Sequence, residues 1–175
     1  MNFFALFNLS PSFDIDSVSL AETYQILQKL THPDKFATAG AAEKLIAVQK
    51  NAQVNDGYQV LKKPISRAGH MLELRGIELN HEQQTMQDNI FLMQQMEWRE
   101  QLEDIGSDPE HIESLEQLDD EIQGELNTYL EKLRELLAEN NLEADQQSAD
   151  TLRKLKFLTK LRQEIELKED ALSDF

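Results

Sequence analysis

An imidazole and a carboxylate flank a proline at His32-Pro33-Asp34. Such a pair could act as general acid and base, or could present two polar contacts to a partner. The catalytic use also needs a nucleophile or a third orienting group, and the sequence marks neither, so no catalytic residue is expected. Display alone suffices for the binding use. Pro33 supplies it, because proline fixes its own φ and biases His32 away from helical geometry, which leaves both side chains on a stiff corner. A plain proline turn, with Asp34 capping the next segment and His32 incidental, is the competing reading. The other histidines, His70, His81 and His111, share no HExxH or i, i+4 spacing, and cysteine is absent. Disulfides, thiolate metal sites and a cysteine-held iron-sulfur cluster are therefore out of reach, and no resident metal or cofactor is expected.

The elements that must position the corner are helical, because apolar spacing of three and four recurs and no useful strand alternation appears. The pattern predicts a short helix within residues 3–9, with Phe3, Phe4 and Phe7 on one side, closed by Ser10-Pro11. A second starts after Asp16 as N-cap and carries Leu20, Tyr24 and Leu27 up to Thr31. The third runs over 41–61 with Ala47, Asn51, Val54, Tyr58 and Leu61 on one stripe and Leu45, Val48 and Ala52 beside it. Pro64 stops it. A short amphipathic piece over 65–74 then ends at Arg75-Gly76, where Gly suits a C′ position.

Beyond a linker placed at 76–83, Thr85-Met86-Gln87-Asp88 resembles a capping box for a helix reaching Ile105. Gly106-Ser107-Asp108-Pro109 combines a stop, an N-cap and a proline at the first helical position. Leu115, Leu118, Ile122, Leu126, Tyr129, Leu133 and Leu136 then hold a 3-4 spacing, and a last helix over 144–168 carries Leu155, Leu158, Leu161 and Ile165. Three helices with short connections make an antiparallel bundle over 84–175, separate from a helical module over 1–75.

Charge divides the chain at the same place. Residues 1–76 hold eight Lys or Arg against seven Asp or Glu, a net of +1, whereas 77–175 hold nine against twenty-six, a net of −17. The acidic module would repel nucleic acid and anionic lipid, so neither is an expected partner. The apolar opening lacks a basic leader and meets Asp14 and Asp16 before any membrane-length run, so a soluble, cytosolic chain is expected.

A helix turns about 100° per residue, which assigns faces over 91–105. With Phe91 as zero, Trp98, Leu102 and Ile105 fall within about 40° and form the core stripe. Leu92, Met93 and Met96, with Glu97, Glu100, Glu103 and Asp104, fall between about 100° and 240°. Three apolar residues inside an acidic face suit a protein partner, unless another part of the chain covers them, with Leu92 the first to be covered. Phe157 lies about 100° from the last helix's apolar stripe and either joins that patch or edges the core.

Tyr24 and its helix, His32-Pro33-Asp34-Lys35-Phe36 and the long helix through Asn55 and Tyr58 resemble a J-domain. The whole chain is similar to the HscB family of J-domain co-chaperones of iron-sulfur assembly. The similarity is carried by Phe3-Phe4-Ala5-Leu6-Phe7, the His-Pro-Asp loop, Arg67-Ala68, the run from Phe91-Leu92-Met93 to Glu103, the run from Leu152 to Leu158, and Asp174-Phe175. The resemblance implies an all-α, L-shaped protein: a J-domain over 1–75, whose helical hairpin carries the loop, a linker over 76–83, and a C-terminal three-helix bundle over 84–175 of the scaffold-binding, oligomerisation type. It implies that His32, Pro33 and Asp34, helped by Lys29 and Lys35, engage the DnaK-type chaperone HscA and stimulate its ATPase. It further implies that Leu92, Met93, Met96, Glu97, Glu100, Glu103, Asp104 and Phe157 bind the scaffold IscU. The chain itself is then no enzyme. Met96 stands where the family more usually has Leu, and Lys29 is the only Lys or Arg on the helix before the loop, offset by Glu22. A general J-protein serving the housekeeping chaperone and a purely structural acidic helical protein are the alternatives.

Overall fold

The computed structural model describes residues 1–79 and 88–174. The chain forms two compact units, Met1–Ile77 and Glu78–Phe175, and every regular element among the described residues is helical.

The first unit holds α1 (Phe3–Leu6), α2 (Ser17–Thr31), a 3-10 turn (Pro33–Phe36), α3 (Ala41–Leu61) and α4 (Pro64–Leu74). Local chemistry accounts for the ends. Asn2 accepts from the Ala5 N–H and Asp16 from those of Val18 and Ser19, so the starts of α1 and α2 have some of their free donors satisfied. Pro64 opens α4 at the position where a missing N–H costs nothing, and Gly76, at φ +81°, follows its last turn in the left-handed region.

The core of this unit gathers Phe4, Phe7, Leu20, Val54, Leu61, Ala68 and Leu72. A close approach lies at Gly57, where a Cβ would stand 2.9 Å from the rings of both Phe3 and Phe7. That close approach seats α1 directly on α3. Buried His70 fastens the other side of α1: its Nε2 accepts from the Phe3 N–H at 3.0 Å, and its ring stacks on Phe4 with centroids 5.7 Å apart. Arg67, also buried, donates to the Phe13 and Leu61 carbonyls at 2.6 and 2.7 Å and lies over the Phe13 ring. One guanidinium thus satisfies a carbonyl at the end of α3 and holds the loop before α2. Burial pulls its pKa down from the usual arginine range, with Asp14 acting the other way.

The expectation for the start of α3 needs correction. Leu45, Val48 and Ala52 are exposed, because the buried face narrows to Ala47, Val54, Gly57 and Leu61. The spacing of Leu45 and Val48 carried no information about their exposure.

The second unit holds α5 (Asn89–Asp104), a 3-10 turn (Pro109–His111), α6 (Ile112–Glu139) and α7 (Leu142–Ser173). Asp88 is the N-cap of α5, accepting from the Phe91 N–H at 3.1 Å, while Thr85, Met86 and Gln87 of the expected capping box lie outside the described residues. Asp108-Pro109 does break the chain, but Pro109 opens a 3-10 turn, and Asp108 makes no side-chain cap bond. Between α6 and α7, Asn140 adopts a left-handed conformation and Asn141 caps the Ala144 N–H at 2.8 Å. Two residues of connection fold the long helices back on one another.

Leu115, Leu118, Ile122, Leu126, Leu133 and Leu136 of α6 are buried as the spacing predicts, with Tyr129 half-buried. They face Leu152, Leu155, Leu158, Leu161 and Ile165 of α7, and each such side chain contributes about 2 kcal/mol by leaving water. The last helix is longer than the predicted 144–168, since buried Leu172 carries its stripe one turn further.

Cations of α7 clip the other two helices to it. Lys154, itself buried, bonds Asp88 at 2.6 Å and lies over the rings of Phe91 and Tyr129. Arg162 makes a two-pronged pair with Asp119 of α6, at 2.7 and 3.0 Å. Lys168 donates to the Leu102 and Ile105 carbonyls, which are left over at the end of α5, and Arg99 of α5 pairs with Glu164. A module with few cations thus sets four of them between its helices.

Candidate functional site

Two sets of residues must be placed, one on each unit. On the first, α2 stops where Pro33 can no longer donate an N–H, and His32 leaves the helix at φ −61°, ψ 131°. His32, Pro33, Asp34, Lys35 and Lys29 are all exposed. The corner has an internal logic the sequence did not reveal. The Nδ1 of His32 accepts from the Asp34 N–H at 3.2 Å, so His32, and not Asp34, caps the turn. With Nδ1 accepting, the ring proton sits on Nε2. The Asp34 carboxylate, 3.6 Å from Nδ1, then faces an acceptor and forms no ion pair in that state. It stays 92% exposed, an anion held on a short rigid turn.

A chain of neutral polar groups joins α2 to α3 and passes through Thr31, the residue before the corner. Tyr24 Oη donates to Asn55 Oδ1 at 2.8 Å, Asn55 Nδ2 to Asn51 Oδ1 at 3.3 Å, and Asn51 Nδ2 to Thr31 Oγ1 at 3.1 Å. Thr31 Oγ1 then donates to the Leu27 carbonyl at 2.8 Å. Tyr24 also stacks on Tyr58, centroids 4.1 Å apart. Sequence periodicity placed Asn51 and Tyr58 on the inward stripe but carried no sign of this connectivity.

On the second unit, α5 turns Phe91, Trp98 and Leu102 inward. Trp98 Nε1 donates to Glu121 of α6 at 3.0 Å, which fixes the rotation of the helix about its axis. The opposite face carries Met93 and Met96, 63% and 73% exposed, among exposed Glu97, Glu100, Glu103 and Asp104. Leu92 is half-buried, on the shoulder of this face. Phe157 is half-buried too, its ring set edge-on to Phe91 at 6.0 Å and covered by the Arg99 guanidinium at 5.6 Å. It sits at the margin between core and surface, on the side of α7 that receives α5. Ile90, 75% exposed at the first turn of α5, adjoins Met93 and was missed because it falls just outside the 100–240° window.

Electrostatics separate the structural carboxylates from the displayed ones. The hydrogen bond from Lys154 holds Asp88 below the usual carboxylate range, helped by the Phe91 N–H. Glu169 is pushed up, first by burial and then by Asp119, Glu116 and Glu166 nearby. As for metals, Asp108, Glu110 and His111 bring three ligand-type atoms within 4.8 Å of one another in the turn before α6, the two carboxylates on exposed side chains. Among the described residues no helix is long and apolar enough to cross a membrane.

A J-type helical hairpin with its His-Pro-Asp corner displayed, carried on one chain with an acidic three-helix bundle, defines a co-chaperone. Comparison with known proteins makes the class specific. Residues 87–166 match the family model for the HSCB C-terminal oligomerisation domain. The chain is 64% identical over 175 residues to the co-chaperone HscB homolog of Pseudoalteromonas atlantica, covering 100% of both. It is similar to the solved structure of chaperone HscB from Vibrio cholerae, at 42% identity and TM-score 0.87, over 98% of this chain and 99% of that one. It is also similar to human HscB, at 25% identity and TM-score 0.88, over 97% and 82%. The chain belongs to the HscB family of co-chaperones.

Proposed function

We propose that this co-chaperone is a two-ended adaptor of iron-sulfur assembly in the bacterial cytoplasm, which brings the scaffold IscU to the DnaK-type chaperone HscA and stimulates the ATPase of HscA. The J-domain, 1–75, acts on the chaperone through His32, Pro33 and Asp34, with Lys29 and Lys35 adding attraction. The bundle, 84–175, takes the scaffold through Leu92, Met93, Met96, Glu97, Glu100, Glu103, Asp104 and Phe157. The residues 76–83 join the two.

The observation that carries this reading is the pair of exposed methionines on α5. A soluble helix buries such side chains when it can, and a flexible apolar pair ringed by carboxylates suits an apolar spot rimmed by Lys or Arg on a protein partner. Charge then steers the encounter and apolar contact holds it. With both ends occupied, scaffold and chaperone meet at high effective concentration. The chemistry belongs to the chaperone, whose hydrolysis of ATP traps the client. In this mechanism the chain's own groups do no bond-making: Asp34 offers a fixed anion, and the methionines offer contact area.

The test is ATP turnover by HscA with this protein, with and without IscU. Stimulation that rises further with IscU is expected. No stimulation by the wild-type chain would end the proposal.

A further inference from the structure

We propose that Thr31 and Asn51 are positioning residues for the His32-Pro33-Asp34 corner, through the hydrogen-bonded ladder that ends on the last turn of α2. The inference rests on the reading above that this corner acts on the chaperone.

The end of α2 is poorly held by its own backbone. In a regular helix residue 33 would donate to the carbonyl of residue 29, and Pro33 has no N–H to give. An exposed helix end short of a bond frays, and fraying here would let His32 and Asp34 sample many directions. The ladder does not replace that bond, but it ties the end of α2 to α3. Tyr24, Asn55, Asn51 and Thr31 each donate to the next group in the same direction, finishing at the Leu27 carbonyl. Donation in one sense lets each bond polarise the next. Thr31 is the last residue of α2 and the neighbour of His32, so its hydroxyl, gripped by Asn51 of α3, fixes the point from which the corner departs. Tyr24, stacked on Tyr58, anchors the other end. The bond from Asn51 is therefore not a general core contact: the ladder is part-buried and passes through Thr31, the residue before the corner, on its way to the Leu27 carbonyl.

The ladder acts on how well a docked corner performs, so its loss should lower the maximal stimulation more than it raises the half-saturating concentration. Thr31→Val keeps the shape and removes the hydroxyl, whereas Thr31→Ser keeps the hydroxyl and loses a methyl. In the full-length chain, titrated against the DnaK-type chaperone, Thr31→Val should cut maximal ATPase stimulation by about fivefold, the weight of one hydrogen bond. Thr31→Ser should stay within about twofold of wild type, and Asn51→Leu should match Thr31→Val. The Asp34 amide should exchange faster in Thr31→Val than in Thr31→Ser.

Full stimulation by Thr31→Val, or equal losses in Thr31→Val and Thr31→Ser, would overturn the inference. Asp34→Ala in the same assay separates the two levels. If wild type stimulates, Asp34→Ala does not and Thr31→Val does, the corner reading stands and the positioning role falls. If Asp34→Ala stimulates like wild type, the corner reading itself falls.

Discussion

The two units solve the problem of presenting a surface in opposite ways. The first, with a net charge of +1 over 1–76, displays an anionic corner beside a ladder of neutral groups: amides, a hydroxyl and stacked tyrosines. The second, at −17 over 77–175, draws Arg99, Lys154, Arg162 and Lys168 into contacts between its helices, and its carboxylates crowd an outer face around two methionines. The difference teaches where charge is useful. A directional contact needs a rigid holder, and neutral hydrogen bonds do not compete for the displayed carboxylate. An area contact needs a field of one sign around it, and engaging cations in pairs between the helices leaves that field.

If the units are as separate in role as in chemistry, substitutions should strike one function and spare the other. Asp34→Ala should reduce chaperone ATPase stimulation by tenfold or more, on the order of a lost charged contact, with scaffold binding unchanged by calorimetry. Met93→Ala with Met96→Ala should weaken scaffold binding by roughly tenfold to a hundredfold and leave stimulation without scaffold intact. A loss of both functions from either variant would break the comparison.

Stability should divide the same way. Gly57→Ala gains about 1 kcal/mol of helix preference but drives a methyl into Phe3 and Phe7, so a net loss of about 1–2 kcal/mol in the first unit is expected. The only tryptophan, Trp98, lies in the bundle. Urea unfolding followed by its fluorescence should therefore be unmoved, while the circular-dichroism transition shifts to lower urea.

Acid should loosen the first unit before the second. Burial, opposed by Glu73, holds His70 below the ordinary histidine value of 6.5, and its Nε2 must stay unprotonated to accept from Phe3. A group whose folded pKa is depressed gives full stability above its unfolded value and loses it as pH falls towards the folded one. The α1 latch should weaken below about pH 6.5 by that rule. Asp88 obeys the same sign from its ordinary value of 3.8, so its bridge to Lys154 should persist until well into acid. Proton-dependent melting read by near-ultraviolet tyrosine signals and by Trp98 should resolve the two steps. Salt gives the smallest expected effect: raising it should weaken scaffold binding, which depends on the acidic face, more than stimulation, since α2 carries Lys29 alone against Glu22.

Features set by neighbours in sequence were legible from the residues alone. The Asp16 cap, the helical break at Pro33, the left-handed Gly76 and the inward stripe of Phe91, Trp98 and Leu102 each follow from local rules. The displayed corner and the methionine face followed in turn, because a proline turn and a helical wheel both point outward by geometry. What escaped depends on contacts between distant residues. Nothing near Gly57 announces the rings of Phe3 and Phe7, nothing near Thr31 announces Asn51, and Leu45 and Val48 match an inward pattern although both are exposed. Phe157 lies between these cases, since its angle on the helix put it at the margin and only packing on Phe91 determines how much of it is left outside.

The adaptor account is tested most directly by steady-state ATP turnover of HscA with wild type, Asp34→Ala and the Met93→Ala/Met96→Ala variant, each with and without IscU. The account predicts that wild type stimulates and gains further from IscU, that Asp34→Ala does neither, and that the methionine variant stimulates but gains nothing from IscU. A methionine variant that responds to IscU as wild type does would contradict it.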